Sequence, residues 1–476
     1  MQPKINFVSH DELQRLHEAA LWLLNNVGMQ VFSTEAVKIM RNGGARIEKE
    51  NIVKIPADLV TYALGKVPKR EGFILYGRDE RHDIRFGIDT PALSSMMEAT
   101  HVIDLETGER RLCTNKDLAD MVRLMDALEN IVVNGPLVTP QDVPKEMADL
   151  YAVATTLKNT SKHVVSPTHG ARFVKDVVAM ASLAVGSEEN FRQRPFVSFG
   201  VLTQCPFQID RLSVKGLLEI SRQGLPVAVS SGPIMGTTSP VTIAGTVAQA
   251  HAEILAILTL SQLVRPSTPI IYTSFARSMD MKTGNVSMSS LEFGILRGTM
   301  GQLGRYLGLP VKMPAFLRDA KILDGQAGFE TGTVGLISTL ASDLINSMQY
   351  DMDTLVDFAD LVFSDEAMAA LERIAKGFSI DENALALDVI EQAGHGGNFL
   401  GCEHTLRNHR KEMWVPRLME RRSWAQWEKE GGKDIKRRAR EKAREILASR
   451  EPVRLSHEAE AEIDRITREA TMNSAK

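Results

Sequence analysis

Four ionic side chains, His169, Arg277, Arg318 and Glu330, follow short apolar runs, in company with the polar residues Asn134, Thr203, Gln204 and Gln349. Such a set can orient a substrate by charge and hydrogen bonds. It is poorly equipped for paired acid–base work, which needs two titratable groups with separated pKa values. Metal chemistry lacks its spacing, since no His-x-His, His-Glu-x-x-His or carboxylate cluster occurs. Gln326 and Glu330 lie four residues apart, which would place both on one helix face. Each residue also has a structural reading: Arg318 beside Asp319 as a rim ion pair, Glu330 as a partner within its helix, His169 and His395 as hydrogen-bonded structural histidines.

The elements that would position these groups alternate regularly. From about residue 117, short apolar windows at 131–133, 163–166, 196–200, 227–231, 270–274, 311–313 and 344–348 are separated by amphipathic stretches of helical period. Strands apolar on both faces belong to a buried parallel sheet covered by helices, which predicts α/β architecture, a closed (β/α)8 TIM barrel of residues 111–430. Its ligand site would lie just beyond the strand ends. Neither a Gly-x-Gly-x-x-Gly after the first strand nor a phosphate-binding Gly-x-x-x-x-Gly-Lys occurs, so nucleotide-binding open sheets lose support. Residues 1–110 read as an N-terminal α+β cap, with a capped helix from Ser9 and Glu12 to Gly28 and a hairpin turning at Lys49-Glu50-Asn51. Residues 431–476 read as a charged helical tail with a solvated face.

The chain has 476 residues, 43% apolar and 24% charged, as a folded globular protein does. Its 56 Lys and Arg against 60 Asp and Glu leave a net charge of −4, so nucleic acid is not an expected partner. No stretch approaches the roughly 18 apolar residues of a membrane span. Cys113, Cys205 and Cys402 are too dispersed for a disulfide framework or a zinc site. A cytoplasmic location and a homo-oligomer are expected.

Several stretches together resemble the trimethylamine methyltransferase family: HVIDLETGERR at 101–111, NGPLV at 134–138 with PQDVP at 140–144, DGQAGFE at 324–330, GGNFL at 396–400 with His404-Thr405, and RRSWAQW at 421–427. The resemblance implies a (β/α)8 barrel that passes a methyl group from a methylated amine to the cob(I)alamin of a separate corrinoid protein. Trimethylamine enzymes of this family carry pyrrolysine after the sixth of the strands read above. The corresponding residues here, Pro314 to Asp319, are all standard. That departure resembles the non-pyrrolysine branch, whose substrates are quaternary amines such as glycine betaine.

Such an amine leaves as a neutral molecule, so a barrel mouth without an acid–base pair suffices. Glu330 and Gln326 are then the catalytic candidates. Phe199, Phe275, Phe316, Tyr350 and Glu330 could meet the cation, and Arg277, Arg318 or His395 a carboxylate. Gly396, Gly397 and Asn398 are expected on the rim where a corrinoid would approach. No corrinoid is expected to be bound permanently, because none of the 11 histidines stands in an Asp-x-His-x-x-Gly sequence, so a cognate corrinoid protein must bring the cofactor. No metal is expected. A noncatalytic betaine-binding or scaffold barrel fits the poverty of acid–base groups equally, and a metal-dependent barrel hydrolase or lyase fits it less well.

Overall fold

The computed structural model describes residues 3–96, 99–450 and 453–474. Eight parallel strands close into a barrel: β1 (Ala92–Ser94), β2 (Ile131–Asn134), β3 (His163–Ser166), β4 (Val197–Leu202), β5 (Val227–Ser230), β6 (Ile270–Thr273), β7 (Val311–Leu317) and β8 (Leu344–Gln349), with β8 hydrogen-bonded to β1. Each of the seven apolar windows holds a barrel strand. The eighth, β1, has only three residues and no apolar run to announce it. The barrel therefore begins inside the stretch read as the cap, and the boundary at residue 111 is corrected to about Ala92.

The N-terminal segment forms as its local signals require. Ser9 and Glu12 close a capping box on helix His10–Asn26. Gly28 ends that turn at φ 78°, where a Cβ would stand 2.6 Å from the Val53 carbonyl oxygen. The hairpin Arg46–Glu48 with Ile52–Lys54 turns through Lys49 and Glu50, both at positive φ. Contrary to the sequence expectation that no stretch approaches a membrane span, helix Ile243–Val264 is by length and composition long and apolar enough to be one, yet most of it is buried. It is apolar on all sides because it lies between barrel and N-terminal helix, where His17 Nδ1 meets His251 Nε2 at 3.0 Å.

A second hairpin, Ile74–Leu75 with Ile84–Arg85, stops the N-terminal end of the barrel. Phe73, Leu75, Ile84 and Phe86 pack there against the inward residues Val133, Val165, Ala228 and Ile271. The tail is more than a solvated helix. Ala439 and Ala443 of helix Ile435–Ser449 are fully buried, and Lys158 ties helix His457–Ser474 to the barrel through Asp464 at 2.7 Å.

Helix Phe358–Lys376 is fastened by a buried ion pair. Arg318, at the end of β7, has no exposed surface and donates to Asp360 Oδ2 at 2.5 Å, Thr331 Oγ1 at 2.8 Å and Ser364 Oγ at 3.1 Å. Tyr350 donates its hydroxyl to the other Asp360 oxygen at 2.8 Å, and the Phe316 and Phe363 rings flank the guanidinium. Removing one member of such a pair leaves the other charged, buried and alone. Asp360→Ala is expected to lower unfolding stability by about 3–5 kcal/mol in urea titrations, while leaving the amine KM of the folded enzyme unchanged.

Candidate active site at the barrel mouth

A cavity of about 550 Å3 occupies the barrel axis above the hairpin plug, within the size range of small-molecule sites. It reaches solvent at the C-terminal ends of the strands, where its lining residues Leu202 and Leu212 are about half exposed. Its floor comes from strand register. β6 and β7 pair Thr273 with Lys312, and β5 and β6 pair Val229 with Tyr272, so Ser230, Thr273 and Lys312 stand side by side in one inward-facing layer. Gly200, on the adjacent strand β4, opens the neighbouring wall. A Cβ there would come within 2.7 Å of Met96 Cε, and Met96 lies over the layer with Sδ 3.6 Å from Lys312 Nζ.

This layer holds donors without acceptors. Ser230 Oγ and Thr273 Oγ1 are buried and have no hydrogen-bond partner, and Lys312, 3% exposed, has only the Met96 sulfur. Burial brings the Lys312 ammonium down to about 8, with no carboxylate among the described residues near enough to oppose the shift. Buried polar groups are nearly always satisfied, so adjacent unpaired donors mark a place for a ligand's acceptor.

Higher on the wall, Asp353 also lines the cavity. It is the last of three consecutive residues at positive φ, Asp351, Met352 and Asp353, a costly backbone of the sort that collects at functional sites. Its Oδ1 has no partner. Burial pushes its carboxyl up to about 6, against the pull of Arg277. Behind it Arg297 is fully buried over the Phe293 ring, 3.8 Å from guanidinium carbon to ring centre, and none of its side-chain nitrogens has a partner. A larger hollow of about 650 Å3 lies outside the axis, between 278–292 and 319–321. None of its lining residues carries an unpartnered buried polar atom.

Of the residues singled out in the sequence, His169, Phe275 and Arg277 line the cavity, His169 with its Nε2 2.6 Å from Asp149 Oδ2. The others are placed elsewhere. Phe199 lies in the core between barrel and helices, with its neighbour Gly200 facing the cavity. Phe316, Arg318 and Tyr350 belong to the buried cluster around Asp360. Glu330 and Gln326 do share a helix face, but the Glu330 carboxylate accepts from the Asp319 and Ala320 amides at 3.0 and 3.3 Å and from Gln326 Nε2 at 2.7 Å, fixing the loop after β7. His395, Gly396, Gly397 and Asn398 sit on an exposed excursion and do not line the cavity. Gly397 serves a tight turn, since a Cβ there would collide with the Ala393 carbonyl.

Lys312, Ser230, Thr273 and Asp353 were not among the sequence candidates. Lys312 alone had a signal, a charge inside the otherwise apolar run VKMPAFL.

A closed parallel barrel whose polar, unsatisfied cavity opens at the strand C-termini is the arrangement of an α/β-barrel enzyme. A family model described as trimethylamine methyltransferase (MTTB) matches residues 1–473, and the chain belongs to that family of methyltransferases. It is 32% identical over 464 residues to trimethylamine methyltransferase MttB of Desulfitobacterium hafniense (strain DSM 10664 / DCB-2), covering 97% of this chain and 93% of that one. To glycine betaine methyltransferase of Desulfitobacterium hafniense (strain Y51) it is 28% identical over 469 residues, covering 97% and 96%. The crystal structure of the Methanosarcina barkeri monomethylamine methyltransferase shares the fold, with a TM-score of 0.53 at 12% identity over 94% of this chain and 88% of that one.

The two perturbed groups set a pH window. Asp353 is ionised only above about 6 and Lys312 is protonated only below about 8. The kcat/KM for a non-titrating amine should therefore be bell-shaped, falling as pH drops through about 6 and as it rises through about 8. Lys312→Met should remove the alkaline limb and Asp353→Asn the acidic one, as read from initial rates from about pH 5 to about pH 9.5.

Proposed function

We propose that this methyltransferase takes a methyl group from a zwitterionic quaternary amine, of the glycine betaine type, and passes it to the cob(I)alamin of a separate corrinoid protein. The observation that carries this reading is the unpaired donor layer of Lys312, Thr273 and Ser230 beneath an unpaired Asp353 carboxylate. A betaine complements it at both ends. Its carboxylate accepts from the floor donors, and its ammonium lies along Phe275 and within the field of Asp353. Anchoring the anionic end at the floor turns the methylated nitrogen towards the mouth, the side from which a large macrocycle can approach. The corrinoid supplies the nucleophile, a cobalt(I) centre. The chain supplies alignment and a dry site: when the C–N bond breaks its electron pair stays on nitrogen, and a quaternary ammonium departs as a neutral tertiary amine that needs no proton from the protein. Standard residues at Pro314 to Asp319 and the glycine betaine relative support this choice over trimethylamine.

The test follows the consumption of cob(I)alamin spectrophotometrically with glycine betaine, choline and trimethylamine. Choline keeps the trimethylammonium group and lacks the carboxylate, so it should react at least ~10-fold more slowly, the equivalent of one lost charge-assisted hydrogen bond. Lys312→Met should raise KM for glycine betaine by about 10- to 100-fold and leave choline nearly unaffected. Equal rates for betaine and trimethylamine in the wild-type enzyme would overturn the proposal, and binding of betaine with no cobalt oxidation would favour a noncatalytic barrel.

A further inference from the structure

A glycine betaine molecule in the cavity leaves two protein cations unmatched. Its carboxylate answers Lys312 and its ammonium answers Asp353, which are the pairings proposed above. Arg277 and Arg297 then have no counter-charge of their own. Arg277 lines the cavity and its Nε is buried without a partner, and deeper in the wall all three side-chain nitrogens of Arg297 are unpartnered. Neither guanidinium forms an ion pair among the described residues. Asp353 attracts both, and the two repel one another. A guanidinium cannot shed its proton to escape burial, so such groups are kept where an acceptor satisfies them.

The other ionic groups at the mouth are engaged. His169 Nε2 meets Asp149 Oδ2 at 2.6 Å, and Asp210 caps helix Arg211–Gln223, accepting from the Leu212 and Ser213 amides at 2.8 and 3.0 Å. The two arginines are also held in place. Arg277 opens a short strand, Arg277–Met279, parallel to Ile234–Met235 and antiparallel to Val286–Ser287, and its amide donates to the Pro233 carbonyl at 2.9 Å. Arg297 lies on helix Leu291–Tyr306 over the ring of Phe293, one turn back. Charged donors on rigid elements, with one unpaired nitrogen in a cavity wall, are the makings of an anion subsite. Space is available for a larger ligand as well. Glycine betaine takes up on the order of 150 Å3, at roughly 20 Å3 per heavy atom, in a cavity of about 550 Å3.

We infer that the amine this chain prefers carries a second carboxylate, bound at Arg277 with Arg297 adding charge from behind; the inference rests on the zwitterion reading of the preceding subsection and extends it from a neutral betaine to one with a net negative charge. Arg277 and Asp353 line the same cavity and attract one another, so the second carboxylate stands close to the ammonium, as it does in an N-trimethylated amino dicarboxylic acid. Its arrival lowers the buried positive charge that a glycine betaine would leave unmatched.

The test compares N,N,N-trimethylaspartate with N,N,N-trimethylalanine, which lacks the second carboxylate, and with N,N,N-trimethylasparagine, which keeps its shape without the charge. Each is followed by cob(I)alamin consumption, and by calorimetric binding without cobalamin, at a pH between about 6 and about 8. The kcat/KM for trimethylaspartate should exceed both others by at least ~10-fold, the effect of one charge-assisted hydrogen bond. Arg277→Gln should bring the ratio of trimethylaspartate to trimethylalanine within ~3-fold, and Arg297→Met should lower the same ratio. If either variant fails to fold, the wild-type comparison decides alone. Trimethylaspartate no better than trimethylalanine or trimethylasparagine, while glycine betaine reacts, would overturn the inference and leave the reading of the preceding subsection standing. A preference that survives Arg277→Gln would do the same. Should no amine consume cob(I)alamin, the transfer reading falls and the ratio of dissociation constants decides the inference; no binding of any of them would overturn both.

Discussion

Lys312 is an ammonium held on the axis of a barrel, 3% exposed, with a thioether for its one hydrogen-bond partner. Taking a charge out of water without a counter-ion is among the costliest things a fold can do, and the depression of its pKa to about 8 measures part of that cost. Hydrophobic burial between barrel and helices, and the hairpin plug below, hold the strands in a register that leaves Lys312 no escape to solvent. The site depends on this confinement. On the proposed reading, a ligand carboxylate at the floor would meet donors already stripped of water, so that little reorganisation would remain on binding.

The same low-polarity surroundings act on Asp353 with the opposite sign, raising its pKa to about 6. Cation below and anion above are therefore both in place only over a narrow range near neutrality. Arg297 and Arg277 complete the arrangement behind Asp353, favouring its ionised form against burial. The αL run at 351–353 places the carboxylate where a regular strand-to-helix turn would not.

Two ionised clusters at the strand ends thus have different work. Arg318 with Asp360 is closed: every charge has its partner, the pair is sealed from solvent, and it fastens a helix to the barrel. The cavity cluster is open, with Arg277 Nε, Asp353 Oδ1 and the floor hydroxyls all unpaired. Satisfaction of hydrogen bonds, rather than residue type, separates structural from functional groups in this protein.

The sequence by itself determined the barrel, because parallel strands buried on both faces must read as apolar runs between amphipathic helices, and seven of the eight did. It determined the capped first helix and the hairpin for the same local reason, and the family from its combined motifs. It missed β1, too short to show a pattern, and it read Phe199, Phe316, Arg318 and Tyr350 towards the substrate. Only tertiary structure decided which way these point: parity turns Phe199 away beside inward-facing Gly200, whereas Phe316 and Arg318, of the same parity as inward-facing Lys312, are drawn into the cluster around Asp360. Ser230 and Thr273 are ordinary residues in the chain and become a floor only when register sets them beside Lys312. Asp353 acquires its meaning from a backbone bend that no periodicity encodes.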